Sequence, residues 1–288
     1  MRPSFLSRAV GKLMQIAPKR MVIPAKVAIL SSYHRLLVDR RFLRQHAESK
    51  LEPIPPANLR FRVAGDYDIG HFHRSGLESR QAFEDALADH GASLEAARRL
   101  LDFGTGCGRI MRWMRDVVGK VRLDGVDVDP PAIEWSRSNL DFATFTCTQP
   151  LPPMPFEGAT FDLVFSHSVF SHLDVDYQDA WLADLRRVSR PGSTLLVTVH
   201  GEHPWRQFFD SNPENNTMQR YAAQRDSNGH LYVRDDVWTG LFPDFYHTMF
   251  HTEAYVRSHW SEFFDVLDYR PRAMLDFQDM VVLRHPKE

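Results

Sequence analysis

Cysteine is nearly absent: Cys107 and Cys147 are the only two in 288 residues. Two thiols exclude a disulfide framework and suit a reducing compartment, so a cytoplasmic location is expected. No CxxC or HExxH spacing occurs, which removes the usual signatures of zinc. Neither sign of charge is in excess. The net charge is −2, which is not the footprint of a general nucleic-acid binder. No uninterrupted apolar run has membrane-spanning length, and the stretches near the N-terminus are too broken for a secretory signal peptide. An organelle transit segment is the alternative that composition leaves open.

One lack is local. No acidic residue precedes Asp39, and the first 50 residues carry eleven Lys and Arg against Asp39 and Glu48. Phe5, Leu6, Ala9, Val10, Leu13, Met14 and Ala17 share one helical face, with Arg8, Lys12 and Gln15 opposite. Pro18 ends that helix. A second helical stretch follows Pro24 and carries Val27, Leu30 and Leu37 among arginines. Two helices packed on the main domain are expected, with contact to an anionic membrane surface or partner as a secondary role. The proline-rich LEPIPPANLRF, residues 51–61, reads as a linker. The expected organisation is a basic helical extension with its linker over residues 1–60 and one large domain over 61–288.

Within that domain helical and strand patterns alternate. SRQAFEDALADHG is a helix closed by Gly91, RRLLDFG a strand, and GRIMRWMRDVVG a helix stopped by Gly119. VRLDGVDVD, ATFTCTQ, FDLVFSHSV and STLLVTVH read as strands. PPAIEWSRSNL and DYQDAWLADLRRVSR read as helices, the second ended by Pro191–Gly192. The pattern predicts a doubly wound α/β fold with a mostly parallel sheet. FFDVLDYRP and QDMVVLRH have no helix between them and should close it as an antiparallel pair.

In such a sheet, ligands bind beyond the C-terminal strand ends. Gly104, Gly106 and Gly108 fall there, directly after Asp102 and the first strand, and allow the backbone to approach a ligand closely. A dinucleotide fingerprint would want glycine at 109, where the chain has Arg109. The second strand ends in GVDVD. Asp127, 25 positions after Asp102, is placed to accept hydrogen bonds from two ribose hydroxyls, whereas Asp129 suits the cap of the helix that follows.

With LLDFGTGCGR, GVDVD, PLPPMPFEGATFDLVFSHSVFSHL and WLADLRRVSRPGSTLLVT in order, residues 98–198 resemble the class I S-adenosylmethionine-dependent methyltransferases. The resemblance implies a seven-stranded Rossmann-like sheet, S-adenosylmethionine as cofactor and methyl transfer to a small-molecule acceptor. A hydroxyl of a glycan or secondary metabolite fits best. The cofactor residues it implies are Asp102, Gly104, Thr105, Gly106, Gly108, Asp127, Val128 and Ser166. Thr148 and Gln149 offer backbone groups where relatives place an acid after the third strand. Metal-binding relatives carry glutamates where this chain has Ser168 and Ser171 beside His172, so no metal is expected. The alternatives are an NAD-dependent oxidoreductase and a protein that binds the cofactor without turnover.

An alcohol acceptor would need a general base. His200, His167 and His251, in that order, follow or flank strand ends and are the candidates, while His172 reads as structural. Residues 201–250 form an insertion expected to cap the acceptor pocket. Its aromatics, in WRQFF, VWTGLF and FYHTMF with Tyr221 and Tyr232, suit either ring stacking or a small satellite core.

Overall fold

The structure, a computed structural model, describes residues 19–45, 52–234 and 238–287. The helix read over Phe5–Ala17 lies outside them.

Nine strands are present among the described residues: β1 Arg99–Phe103, β2 Arg122–Asp127, β3 Thr144–Cys147, β4 Phe161–Ser166, β5 Ser189–Val199, β6 His230–Val233, β7 Thr248–His251, β8 Asp265–Met274 and β9 Gln278–Arg284. Seven form one sheet in the order β3-β2-β1-β4-β5-β9-β8. The first five are parallel, and β9 runs antiparallel to both β5 and β8. The sheet, its antiparallel end and its Rossmann-like order are as the sequence pattern predicts. Both faces are covered, because neighbouring residues on one strand enter different cores. Leu100, Leu163 and Leu196 pack with Phe83, Met111 and Met114, while Leu101, Val164 and Leu195 pack with Trp181, Leu182 and Leu185.

The helices are α1 Lys19–Tyr33, α2 Asp39–Gln45, α3 Ala57–Ala64, α4 Ile69–Asp89, α5 Pro130–Asn139, α6 Val175–Val188, α7 Glu202–Asp210, α8 Asn216–Asn228 and α9 Glu253–His259. Aspartates start two of the long ones: Asp68 accepts from the His71 N–H at 2.7 Å, and Asp174 from that of Tyr177 at 3.1 Å. Prolines open α5.

Four local expectations change. Met111–Val117 is a 3₁₀ segment, not an α-helix. Its entry is pressed on α4, where a Cβ at Gly76 would stand 2.2 Å from the Arg109 carbonyl. α1 begins before Pro24 and contains it. The residues read as a linker become α3 from Ala57, because Leu59 and Arg60 are buried there. Arg60 donates to both carboxylate oxygens of Asp39 at 2.7 and 2.9 Å, tying α3 to α2. β5 starts at Ser189, so Pro191–Gly192 lies within the strand.

The insertion has its own small core. β6 pairs antiparallel with β7, and Trp205, Leu231, Val233 and Phe250 pack together with Phe208 and Tyr221 against them.

Candidate active site

A cavity of about 470 Å³ opens where the sheet order reverses between β1 and β4. Its floor is Asp102, Gly104, Thr105 and Gly106 after β1, and Asp127 and Val128 after β2. Thr148, His167, Ser168 and Val169 add the exits of β3 and β4. The insertion supplies the roof, Gly240 to Tyr246, and α3 supplies Arg62 and Val63.

The glycine turn is shaped by its surroundings. Gly104 has φ +85°, and a Cβ there would lie 2.2 Å from Val169 Cγ2. The same atom on Gly106, φ +55°, would lie 2.3 Å from Val63 Cγ1. Both valines line the cavity, so bare backbone is required at its floor. Asp127 spans the turn: Oδ2 accepts from the Gly106 N–H at 2.8 Å and Oδ1 from that of Asp129 at 2.9 Å. Each oxygen keeps a second lone-pair direction for a ligand hydroxyl. Burial pushes the Asp127 and Asp102 carboxyls up to about 6, and the neighbouring acids Asp129 and Asp127 act in the same direction. The Thr105 hydroxyl lies beside the Asp102 carboxyl and opposes its upward shift.

Asp129 sits at the start of α5 but does not cap it with its side chain. It pairs instead with Arg62 at 3.1 Å. Arg62 also lies over the Phe242 ring, 5.5 Å from its centroid, so this pair links α3, α5 and the roof.

His167 is the candidate base that lies on the cavity wall. Its Nδ1 stands 3.0 Å from Arg109 Nη2 and 3.2 Å from the Ser79 hydroxyl, which can donate or accept. A guanidinium only donates, so Nδ1 accepts and the proton of the neutral ring is on Nε2. Burial, with Arg109 next, holds His167 well below its ordinary range. Arg109 itself is lowered to about 10 by burial and stays charged at neutral pH. His167 therefore offers the cavity an N–H donor and cannot take a proton at Nε2.

Two candidate bases lie off the cavity. His200 Nε2 receives the Gln278 amide at 3.1 Å, since Gln278 Oε1 is occupied by the Thr198 hydroxyl at 2.6 Å. His251 is fully buried on β7, and its Nε2–H donates to Gln178 Oε1 at 3.0 Å. Burial pulls both down to about 3. Gly108, Gln149 and Ser166 are off the cavity as well. Gly108 packs on Leu140, Gln149 is exposed, and Ser166 is buried inside the sheet.

The sequence reading missed Arg62 and Arg109 as cavity residues; it places Ser168 after the fourth strand and Tyr246 in the aromatic cap, and both line the cavity. Ser168, held at φ 61°, accepts from Gln278 Nε2 at 2.9 Å and stands 3.4 Å from His172 Nε2. His172 donates its Nδ1–H to the His247 carbonyl at 2.9 Å, and its ring stacks on Tyr246 at 4.0 Å. Burial lowers it to about 3. Only Arg109, standing where a third glycine was sought, was visible as an anomaly. Among the described residues no cluster of His, Cys, Asp and Glu could hold a metal ion.

Sheet order and crevice are those of class I methyltransferases, and comparison with known proteins agrees. Residues 100–192 match the methyltransferase domain family, so the chain carries a class I S-adenosylmethionine-dependent methyltransferase domain. A malonyl-[acyl-carrier protein] O-methyltransferase of Hahella chejuensis is 30% identical over 101 residues, 35% of this chain and 36% of that protein. The match thus spans about a third of the relative's length. In fold, the chain is similar to a SAM-dependent methyltransferase from Methanosarcina mazei, with TM-score 0.50, 16% identity, and 70% and 98% of the two chains covered. It is also similar to 1,6-didemethyltoxoflavin-N1-methyltransferase from Burkholderia thailandensis, with TM-score 0.51, 16% identity, and 82% and 92% covered. That enzyme's structure holds S-adenosylhomocysteine. The oxidoreductase alternative is not favoured by any of these.

Proposed function

We propose that this chain transfers a methyl group from S-adenosylmethionine to an oxygen of a small acceptor held under the roof of the cavity. The observation that carries the reading is one cavity combining the glycine turn, Asp127 with free lone pairs, and an aromatic roof. The residues fit the cofactor: Asp127 would hold the ribose hydroxyls, and the bare turn and Thr105 the amino-acid portion. The bound cofactor supplies an activated methyl group. The chain aligns the acceptor and excludes water.

The acceptor class follows from what the wall lacks. The histidines nearest the wall are held neutral and are weak bases. An alkyl alcohol would be deprotonated poorly here, whereas a phenol, an enol or a carboxylate needs little or no base. His167 Nε2–H gives such an oxygen a donor, and Phe242, Phe245 and Tyr246 suit a flat ring. An oxygen acceptor is also what the name of the Hahella relative states.

The test incubates full-length protein and radiolabelled S-adenosylmethionine with phenols, enols, carboxylates and alkyl alcohols, with and without EDTA. Label transfer to the acidic acceptors, undiminished by the chelator, is expected. Transfer only to alkyl alcohols, or only with added magnesium, overturns the reading.

A further inference from the structure

The residues from Met21 to Arg44 have an unusual surface. The helical stretch they form is 24 residues long, its most apolar 18-residue window has a mean hydropathy of 1.2, and only 6% of that window is buried. Met21, Ile29, Tyr33, Leu36, Leu37 and Leu43 are all among the exposed large apolar side chains. Met21 and Leu37 are 69% and 63% exposed. A core helix would bury such residues, and a water-facing helix would not carry them.

Charge decides what can cover this surface. Lys26, Arg35, Arg40, Arg41 and Arg44 are exposed on the same stretch. Its one acid, Asp39, is turned inward and bonded to Arg60. Apolar side chains interleaved with long cationic ones suit the boundary between lipid headgroups and acyl chains, where the cations meet anionic headgroups.

We propose that α1, α2 and the π-helical segment His34–Val38 that joins them dock this protein on an anionic lipid bilayer. The segment lies on the bilayer and does not span it. Five cations recur along its length, and the Asp39–Arg60 pair anchors it to α3. α3 is also the helix whose Arg62 and Val63 line the cavity. The docked face and the acceptor cavity are therefore joined through α3. The proposal does not depend on the methyltransferase reading.

The experiment is co-sedimentation of the full chain with vesicles of phosphatidylcholine, with and without one-quarter phosphatidylglycerol. The chain should bind the anionic vesicles and pure phosphatidylcholine at least tenfold more weakly. Raising salt from 0.05 to 0.5 M should weaken binding by a similar factor, because screening shortens the reach of each cation. Arg40→Gln with Arg41→Gln should weaken it about tenfold or more. Leu36→Glu with Leu37→Glu should abolish it, with binding of S-adenosylhomocysteine unchanged as proof of folding. Failure of the wild-type chain to bind anionic vesicles overturns the proposal. So does a dimer by light scattering that Leu37→Glu dissolves, since a second copy would then be the cover. Resistance to alkaline extraction from membranes overturns the peripheral placement.

Discussion

A histidine beside a cofactor cavity is usually suspected of being a base, but the partner of one nitrogen decides what the other can do. Arg109 at 3.0 Å fixes Nδ1 of His167 as an acceptor, so the opposite edge is a donor. His167→Gln can keep both roles, with its carbonyl toward Arg109 and its amide toward the cavity. His167→Phe keeps neither and leaves a buried guanidinium hydrogen unpaired. The Gln variant should retain most activity and the Phe variant lose about 1.5–3 kcal/mol of transition-state stabilisation, the range for a bond to a charged group. Equal loss in both would restore the base role. Nitrogen NMR of the wild-type ring should report the Nε2–H tautomer unchanged from pH 8 to 5. Asp127 makes a second claim at this scale. Its carboxylate must be ionised to accept two ligand hydroxyls, and burial has raised it to about 6. Binding of S-adenosylhomocysteine should therefore hold from pH 8 to about 6.5 and weaken below 6, up to tenfold per pH unit. Asp127→Ala should weaken it by about 1.5–3 kcal/mol at pH 7.5 and remove that pH dependence. Calorimetry at three pH values checks both.

Among the elements, the glycine turn is the one whose geometry excludes substitution for two separable reasons. Gly104→Ala meets the left-handed backbone cost, about 1–2 kcal/mol, and drives Val169 toward the cavity. Gly91→Ala, at φ +67° with nothing within 4 Å, meets the backbone cost alone. Thermal melts should show both destabilised, with only Gly104→Ala losing cofactor affinity. Retained affinity in Gly104→Ala would mean that the turn is not the floor of the site. Elements of this kind were legible in the sequence because glycines, acids and strand ends follow each other locally. The run Arg98–Val199 could be read strand by strand, and so could the antiparallel β8–β9 pair. What escaped was set by contacts between distant segments. The expected α-helix is a 3₁₀ segment whose entry lies close against α4 at Gly76, and Asp39 holds Arg60 inside an expected linker. The misplaced histidines have the same cause. His200 follows a strand end, as a site residue should, but its ring is committed to Gln278, 78 positions away. The aromatic insertion divides between both expected uses, with Trp205 in its own core and Phe242 to Tyr246 over the cavity.

For the whole molecule, the buried titratable groups set how it meets acid. His167, His172, His200 and His251 all prefer the neutral form when folded, the last three down to about 3. In the unfolded chain each protonates near 6.5. Above that pH they cost nothing. Below it the unfolded state gains protons that the folded state refuses, so stability falls as pH falls, until the folded values are reached. Asp102 and Asp127 oppose this. Folded, they take up protons near 6, before the unfolded chain does near 4, and so stabilise the fold as pH drops through that window. Each group is worth up to about 1.4 kcal/mol per pH unit, so two carboxyls offset about half of what four histidines remove. A net loss of roughly 2–3 kcal/mol per unit remains between pH 6 and 4. By pH 4 that comes to about 4–6 kcal/mol, comparable to the lower end of a total of about 5–15 kcal/mol. Urea titrations at half-unit steps from pH 7.5 to 4.5 should show the midpoint holding to about 6.5 and then falling steeply. His167→Gln, with one titrating group fewer, should lessen the slope by about 1 kcal/mol per unit. A midpoint that stays level down to pH 5 would mean that these rings are not held neutral, and with that the assignment of His167 as a donor would fall.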